Sequence, residues 1–161
     1  MNIFQVAINM ENDLERFYRE QAEKNKDNEL HTVFTLLANE EEKHAEILKK
    51  NTEKIILDLE DSNISSEVKP IFKNIADLSS DIKELPSQLD AYHLALEKEE
   101  ESIVYYGKLY DEAKGDHSKT VIKFLLEQEK KHRNLLEDLI TLVKRPEEWV
   151  EDAEFGLREE Y

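Results

Sequence analysis

The sequence predicts an all-α fold, four long helices paired as two hairpins and joined by a long crossover. Three observations carry this. Apolar residues recur with the helical period over long stretches. The 161 residues include only three glycines and three prolines, and 37% are charged, a composition that suits long helices better than a turn-rich β fold. The second half of the chain also repeats the first at an offset of 88 residues.

The first helix is expected over about residues 3–24, where Ile3, Ala7, Met10, Leu14, Phe17 and Tyr18 form one apolar stripe. Asn25-Lys26-Asp27-Asn28 is a polar break that offers capping side chains. The second helix carries Leu30, Val33, Phe34, Leu37, Leu48 and Ile55 on one side and is expected to run to about residue 58. From Asp61 to about residue 86 the Ser, Asn and Asp content, with Pro70, suggests a crossover holding a short helix at Ile71–Leu78. Pro86 reads as the start of the third helix, whose face is Leu89, Tyr92, Leu96, Ile103 and Tyr106. Gly115 is the expected stop, in the position after the last helical turn. Asp116 or Ser118 can cap the fourth helix, with Ile122, Leu125, Leu136, Leu139 and Val143 as its stripe. Pro146 closes it. Residues 1–144 therefore form the bundle domain. Residues 145–161, with Trp149, Phe155 and Tyr161, form a short tail packed on the bundle or on another subunit.

Charge and composition exclude several functions. Twenty-two basic against 38 acidic residues leave a formal charge of −16. No nucleic-acid partner and no anionic membrane surface is expected, since both need a basic footprint. With no cysteine, disulfide, thiolate, iron–sulfur and Cys-zinc chemistry are absent from these residues. No apolar run approaches membrane length. The opening Met-Asn-Ile-Phe-Gln-Val-Ala has no basic n-region or cleavage pattern, so a cytoplasmic protein is expected.

The chemistry lies inside the apolar stripes. Glu41-Glu42-Lys43-His44 returns as Glu129-Lys130-Lys131-His132. Each is a Glu-x-x-His, which places carboxylate and imidazole on one helical face, a turn apart. Leu37 and Leu48 flank the first motif and Leu125 and Leu136 the second, at the same spacing. In such a stripe an unpaired charge is costly. The same offset relates Glu11 to Glu99, Ala7 to Ala95 and Tyr18 to Tyr106. Glu11 and Glu41 are equally far from the Asn25–Asn28 break, and Glu99 and Glu129 from Gly115. In antiparallel hairpins each pair faces across at one level, roughly 22 Å from the turn. Four inward glutamates carry −4, which two divalent cations would neutralise with two neutral histidines completing the donor set. Carboxylate with imidazole suits iron or manganese, with zinc and cobalt as substitutes.

In these residues the chain resembles the ferritin-like di-iron carboxylate proteins, whose pattern is one Glu from each of two helices and a Glu-x-x-His from the other two. The resemblance covers about residues 3–143, and within that superfamily it is nearest to the rubrerythrins. Their helices show similar Ala-x-x-x-Glu openings followed by an aromatic pair like Phe17-Tyr18 or Tyr105-Tyr106. It implies a ferritin-like four-helix bundle holding two iron ions. Glu41 and Glu129 would bridge them, Glu11 and Glu99 would be terminal, and His44 and His132 would each bind one metal. Two departures stand out. Rubrerythrins usually carry a second glutamate three residues after the third-helix ligand, where this chain has Ser102. The Cys-ligated rubredoxin domain is also missing from these residues, so electrons are expected from an external redox protein.

The function expected is therefore a di-iron oxidoreductase that reduces hydrogen peroxide or dioxygen, acting as a homodimer. A ferroxidase or iron-storage protein and a helical interaction module with structural metal are the alternatives. Tyr18 and Tyr106 lie on the site face, where each could donate a hydrogen bond to a metal-binding carboxylate or serve only as core packing. His31, His93 and His117 read as surface residues. Glu40, whose repeat mate is Gln128, and Glu42 read as solvated, and so does Glu15, although it could border the pocket.

Overall fold

The computed structural model describes residues 3–52, 59–77 and 88–144, and these form five helices with no strand among them. They are α1 (Ile3–Lys24), α2 (Leu30–Thr52), α3 (Ile64–Asp77), α4 (Leu89–Glu112) and α5 (Asp116–Lys144). Packing is densest within the pairs α1/α2 and α4/α5, which are the two expected hairpins. Across the hairpins α1 meets α4 and α2 meets α5, and α3 lies against α2 and α5. This is a ferritin-like four-helix bundle with a helix in its crossover. No described helix is long and apolar enough to cross a membrane.

The first turn is built by asparagines. The Asn28 Oδ1 accepts the Leu30 N–H at 2.8 Å and so caps the start of α2. Asn25, fully buried, exchanges amide hydrogen bonds with Gln88 at the head of α4, at 2.9 and 3.1 Å. The α1–α2 turn and the start of α4 thus lie at the same end of the bundle. The crossover that leaves α2 must return along the bundle's length to reach that point.

Three expectations change. The crossover helix begins at Ile64, not at Ile71, and Pro70 lies inside it. Ile64, Val68, Phe72 and Ile75 are all buried at helical spacing, and that apolar face outweighs the one backbone bond that a proline removes. Asn63 starts it, its carbonyl accepting the Glu67 N–H at 3.2 Å. Gly115 does take a positive φ of 92°. It is not the residue directly after the α4 cap, however, because Ala113 is that cap, its N–H reaching the Leu109 carbonyl at 2.8 Å. The Gly115 carbonyl accepts the Lys119 N–H at 3.2 Å, so this glycine opens α5. Asp116 is accordingly the first residue of α5 and not its cap. The end of the second helix near residue 58, Pro86 and the tail over 145–161 lie outside the described residues.

The buried core falls into two apolar clusters. One, toward the Asn25 end, includes Leu14, Tyr18, Phe34, Leu37, Tyr92 and Leu136. The other includes Ala7, Leu48, Tyr106, Leu109, Ile122 and Leu125. Between them each of the four helices places buried polar residues, Glu11, Glu41 and His44, Glu99 and Ser102, and Glu129 and His132.

Candidate metal centre

Each long helix delivers its polar residue to the layer between the two apolar clusters. Glu11 from α1, Glu41 from α2, Glu99 from α4 and Glu129 from α5 are all fully buried, and His44 and His132 are buried beside them. The i, i+3 spacing places each histidine a turn from its own glutamate, and the approach of α2 to α5 carries it on to the opposite hairpin. The His44 Nδ1 lies 2.8 Å from Glu129 Oε1, 3.3 Å from Glu11 Oε2 and 3.6 Å from Glu41 Oε2. The His132 Nδ1 mirrors it, 2.7 Å from Glu41 Oε1, 3.4 Å from Glu99 Oε1 and 3.8 Å from Glu129 Oε2. The two imidazoles lie nearly parallel, 5.6 Å apart between ring centres. Side-chain donors gather into two groups, Glu11/Glu41/His44/Glu129 and Glu41/Glu99/Glu129/His132, each with its donor atoms within 4.8 Å of one another. Glu41 and Glu129 belong to both.

The tyrosines close the layer from either side. The Tyr18 hydroxyl donates to Glu99 Oε1 at 2.5 Å, and the Tyr106 hydroxyl donates to Glu11 Oε1 at 2.6 Å. Each bond crosses from one hairpin to the other. Of the two roles open to these residues, the hydrogen bond to a site carboxylate is the one observed. Burial, with the charge of Glu99 or Glu11 behind it, pushes both phenols well above their ordinary range and keeps them as donors.

The buried groups of the layer shift one another's protonation. Burial raises Glu41 and Glu129 well above the ordinary carboxyl range, and the neighbouring carboxylates add to the rise. Burial also opposes ionisation of Glu11, but hydrogen bonding from Glu41 and the charge on His44 outweigh it and hold this carboxyl at about 2. Glu99 is lowered in the same way by Glu129 and His132. Burial would depress His44, yet the charge of Glu11 and hydrogen bonding to Glu11 and Glu41 raise it to about 10. Glu41 and Glu99 likewise lift His132 well above its usual value.

One residue read as solvated belongs here. Glu40 is half-buried, with Oε1 2.8 Å from His132 Nε2 and Oε2 receiving the Ser62 hydroxyl. Burial would raise its carboxyl, but the bonds from His132 and Ser62 hold it at about 2. Its repeat mate Gln128, also buried, turns instead to Asp61 Oδ1 at 2.8 Å. Asp61 receives Lys131 as well, so the segment before α3 is tied to the site by Asp61 and Ser62. Glu40 and Gln128 differ in the repeat, but so do Glu42 and Lys130, so the sequence did not single Glu40 out. The other surface assignments hold. His31, His93 and His117 are exposed, Glu42 pairs with Arg19, and Glu15 does not border the site but pairs with Arg19 at 2.8 Å. Ser102 is buried on α4, while Glu100 and Glu101 are exposed.

The family described as Rubrerythrin matches the chain over residues 2–140. The chain belongs to the rubrerythrin family. No curated protein and no solved structure gives a significant match. Rubrerythrin-family proteins typically bind iron at a di-iron centre, and the residues of this rubrerythrin relative fit such a pair. Glu11, Glu41, Glu99 and Glu129 each keep one buried oxygen, Oε2, with no hydrogen-bond donor. Four such oxygens in one layer, with two imidazole Nδ1 atoms beside them, are a donor set that suits cations.

Proposed function

We propose that the protein is a non-haem di-iron oxidoreductase that reduces hydrogen peroxide, or dioxygen, with electrons from an external redox protein. The observation that carries this reading is the sharing of Glu41 and Glu129 between two buried four-residue groups. In it, Glu11, Glu41, His44 and Glu129 would hold one ion and Glu41, Glu99, Glu129 and His132 the other, with Glu41 and Glu129 serving both. Iron suits this mixture of carboxylate and imidazole, and manganese or zinc would take the same donors. When bound, a ferrous pair supplies the two electrons that, with two protons, convert peroxide to two waters.

The chain's own residues prepare the place. The apolar clusters on either side limit water in the layer, so charges there interact more strongly than they would in water. Tyr18 and Tyr106 fix the orientation of Glu99 and Glu11 by donating to one oxygen of each, which leaves the other oxygen facing inward. Glu40 occupies Nε2 of His132 and so directs the lone pair of Nδ1 into the layer.

Stopped-flow mixing of the ferrous protein with peroxide and, separately, with air tests the reading. Faster oxidation by peroxide is the expected result. Oxidation no faster than in air, with iron accumulating in a closed cage, would move the protein to iron storage. Bound metal that never changes redox state would make it a structural element of an interaction module.

A further inference from the structure

At Glu40 and Gln128 the two halves of the repeat that builds the centre differ, and this difference falls beside the two histidines. On the α5 side, His132 has both ring nitrogens engaged. Nδ1 faces Glu41 and Glu99, and Nε2 meets Glu40, which is itself held by Ser62. On the α2 side, Nδ1 of His44 faces Glu129 and Glu11 in the same manner, but the residue that stands for Glu40 is Gln128, and it is turned to Asp61. Among the described residues no carboxylate backs the outer edge of His44. His44 lines a cavity of about 600 Å³ whose wall also includes Glu40, Lys43, Asp61, Ser62 and Gln128.

Resting on the di-metal reading above, we propose that Glu40 is a positioning residue that makes the two metal positions inequivalent. The position served by His132 fills first and holds its ion tightly, whereas the one served by His44 is weaker and exchanges through the cavity. The physical basis is the outer carboxylate. A metal-binding imidazole that donates its other N–H to a carboxylate is fixed in one tautomer and one orientation, and its free nitrogen becomes more basic. Ser62 holds the second oxygen of Glu40, so that carboxylate is positioned before any ion arrives. Among the described residues His44 has no such outer partner, and it lines the cavity.

Anaerobic addition of cobalt(II) to the metal-free full chain, followed by visible absorbance and by calorimetry, tests this without any turnover. Two ions should bind in resolved steps. Glu40→Gln should weaken the tighter step by about 10–100-fold and leave the weaker one nearly unchanged. Ser62→Ala, at a half-exposed site whose hydroxyl also accepts the Ile64 N–H, should weaken the same step by a smaller factor, with helicity checked by circular dichroism. His44→Ala should remove the weaker step and keep the tighter. Two equal steps in the parent protein, or losses in Glu40→Gln or Ser62→Ala that fall equally on both steps, would overturn the proposal while the di-metal centre stands. If His44→Ala removes the tighter step, the assignment of the two positions is wrong. If no cobalt binds to the parent protein, the di-metal reading itself fails, and the proposal with it.

Discussion

The hydroxyl of Tyr106, on α4, lies 2.6 Å from Oε1 of Glu11, on α1, so the second hairpin orients a carboxylate of the first. Tyr18 returns the arrangement by donating to Glu99. Tyr106→Phe would leave a buried carboxylate oxygen without its donor and a ring that still fills its place. Each of Tyr106→Phe and Tyr18→Phe is expected to lower the stability of the metal-free protein by about 1–3 kcal/mol, as read by urea denaturation. A null effect would mean that these hydroxyls serve packing alone.

Metal loading should release protons. Glu41, Glu129, His44 and His132 are all raised in the metal-free layer, which favours a proton on each carboxyl and a second one on each imidazole. Such protons must leave before these groups can bind cations. Near pH 7 protons should therefore be released on binding two divalent ions. Calorimetry in buffers of different ionisation enthalpy counts them, and a release near zero would contradict the protonation described here.

The pH dependence of the metal-free fold has a definite sign. His44 is raised from 6.5 to about 10, so the stability it contributes is complete below 6.5 and is lost as pH rises through about 10. Glu41 and Glu129 are also raised, so what they contribute is present below 4.5 and declines as pH rises above it. Glu11 and Glu40, held at about 2, contribute above 4.5 and lose it as pH falls toward 2. The metal-free protein should therefore melt highest in the mildly acidic range and progressively lower toward pH 10. Loaded protein needs the same groups deprotonated, so the gain in Tm from metal should widen as pH rises. Calorimetric scans of both forms across that range give the comparison, and parallel curves would refute it.

Substitutions at the shared and unshared carboxylates should differ in kind. Glu41→Ala or Glu129→Ala removes a donor from both groups of four, whereas Glu11→Ala and Glu99→Ala each touch one. Bound iron after anaerobic loading should fall toward none in the first two variants and toward one ion per chain in the others. Oxidation of iron by peroxide should be lost in all four. Equal stoichiometries across the set would remove Glu41 and Glu129 from their shared position.

Most of the architecture was legible because it is written as periodicity. The stripes of α1, α2, α4 and α5, and the six polar residues set into them at repeated offsets, required no knowledge of packing. What was not legible depends on contacts between distant segments. Glu40 sits off the apolar stripe of α2, and nothing local distinguishes it from Glu42. Only the approach of α5 brings His132 to it, and only the crossover brings Ser62. The start of α3 was misplaced because Pro70 reads as a break, although the buried face Ile64, Val68, Phe72 and Ile75 passes through it. Gly115 was recognised as a turn residue from its type, but which helix it serves is decided by one backbone bond to Lys119.

Each group of four draws on both halves of the chain, Glu129 joining Glu11, Glu41 and His44 in one and Glu41 joining Glu99, Glu129 and His132 in the other. Neither hairpin owns a complete coordination set. Ions at this level would act as a fastener between the halves, so a chain severed in the crossover should reassemble from its two fragments more readily with metal than without it.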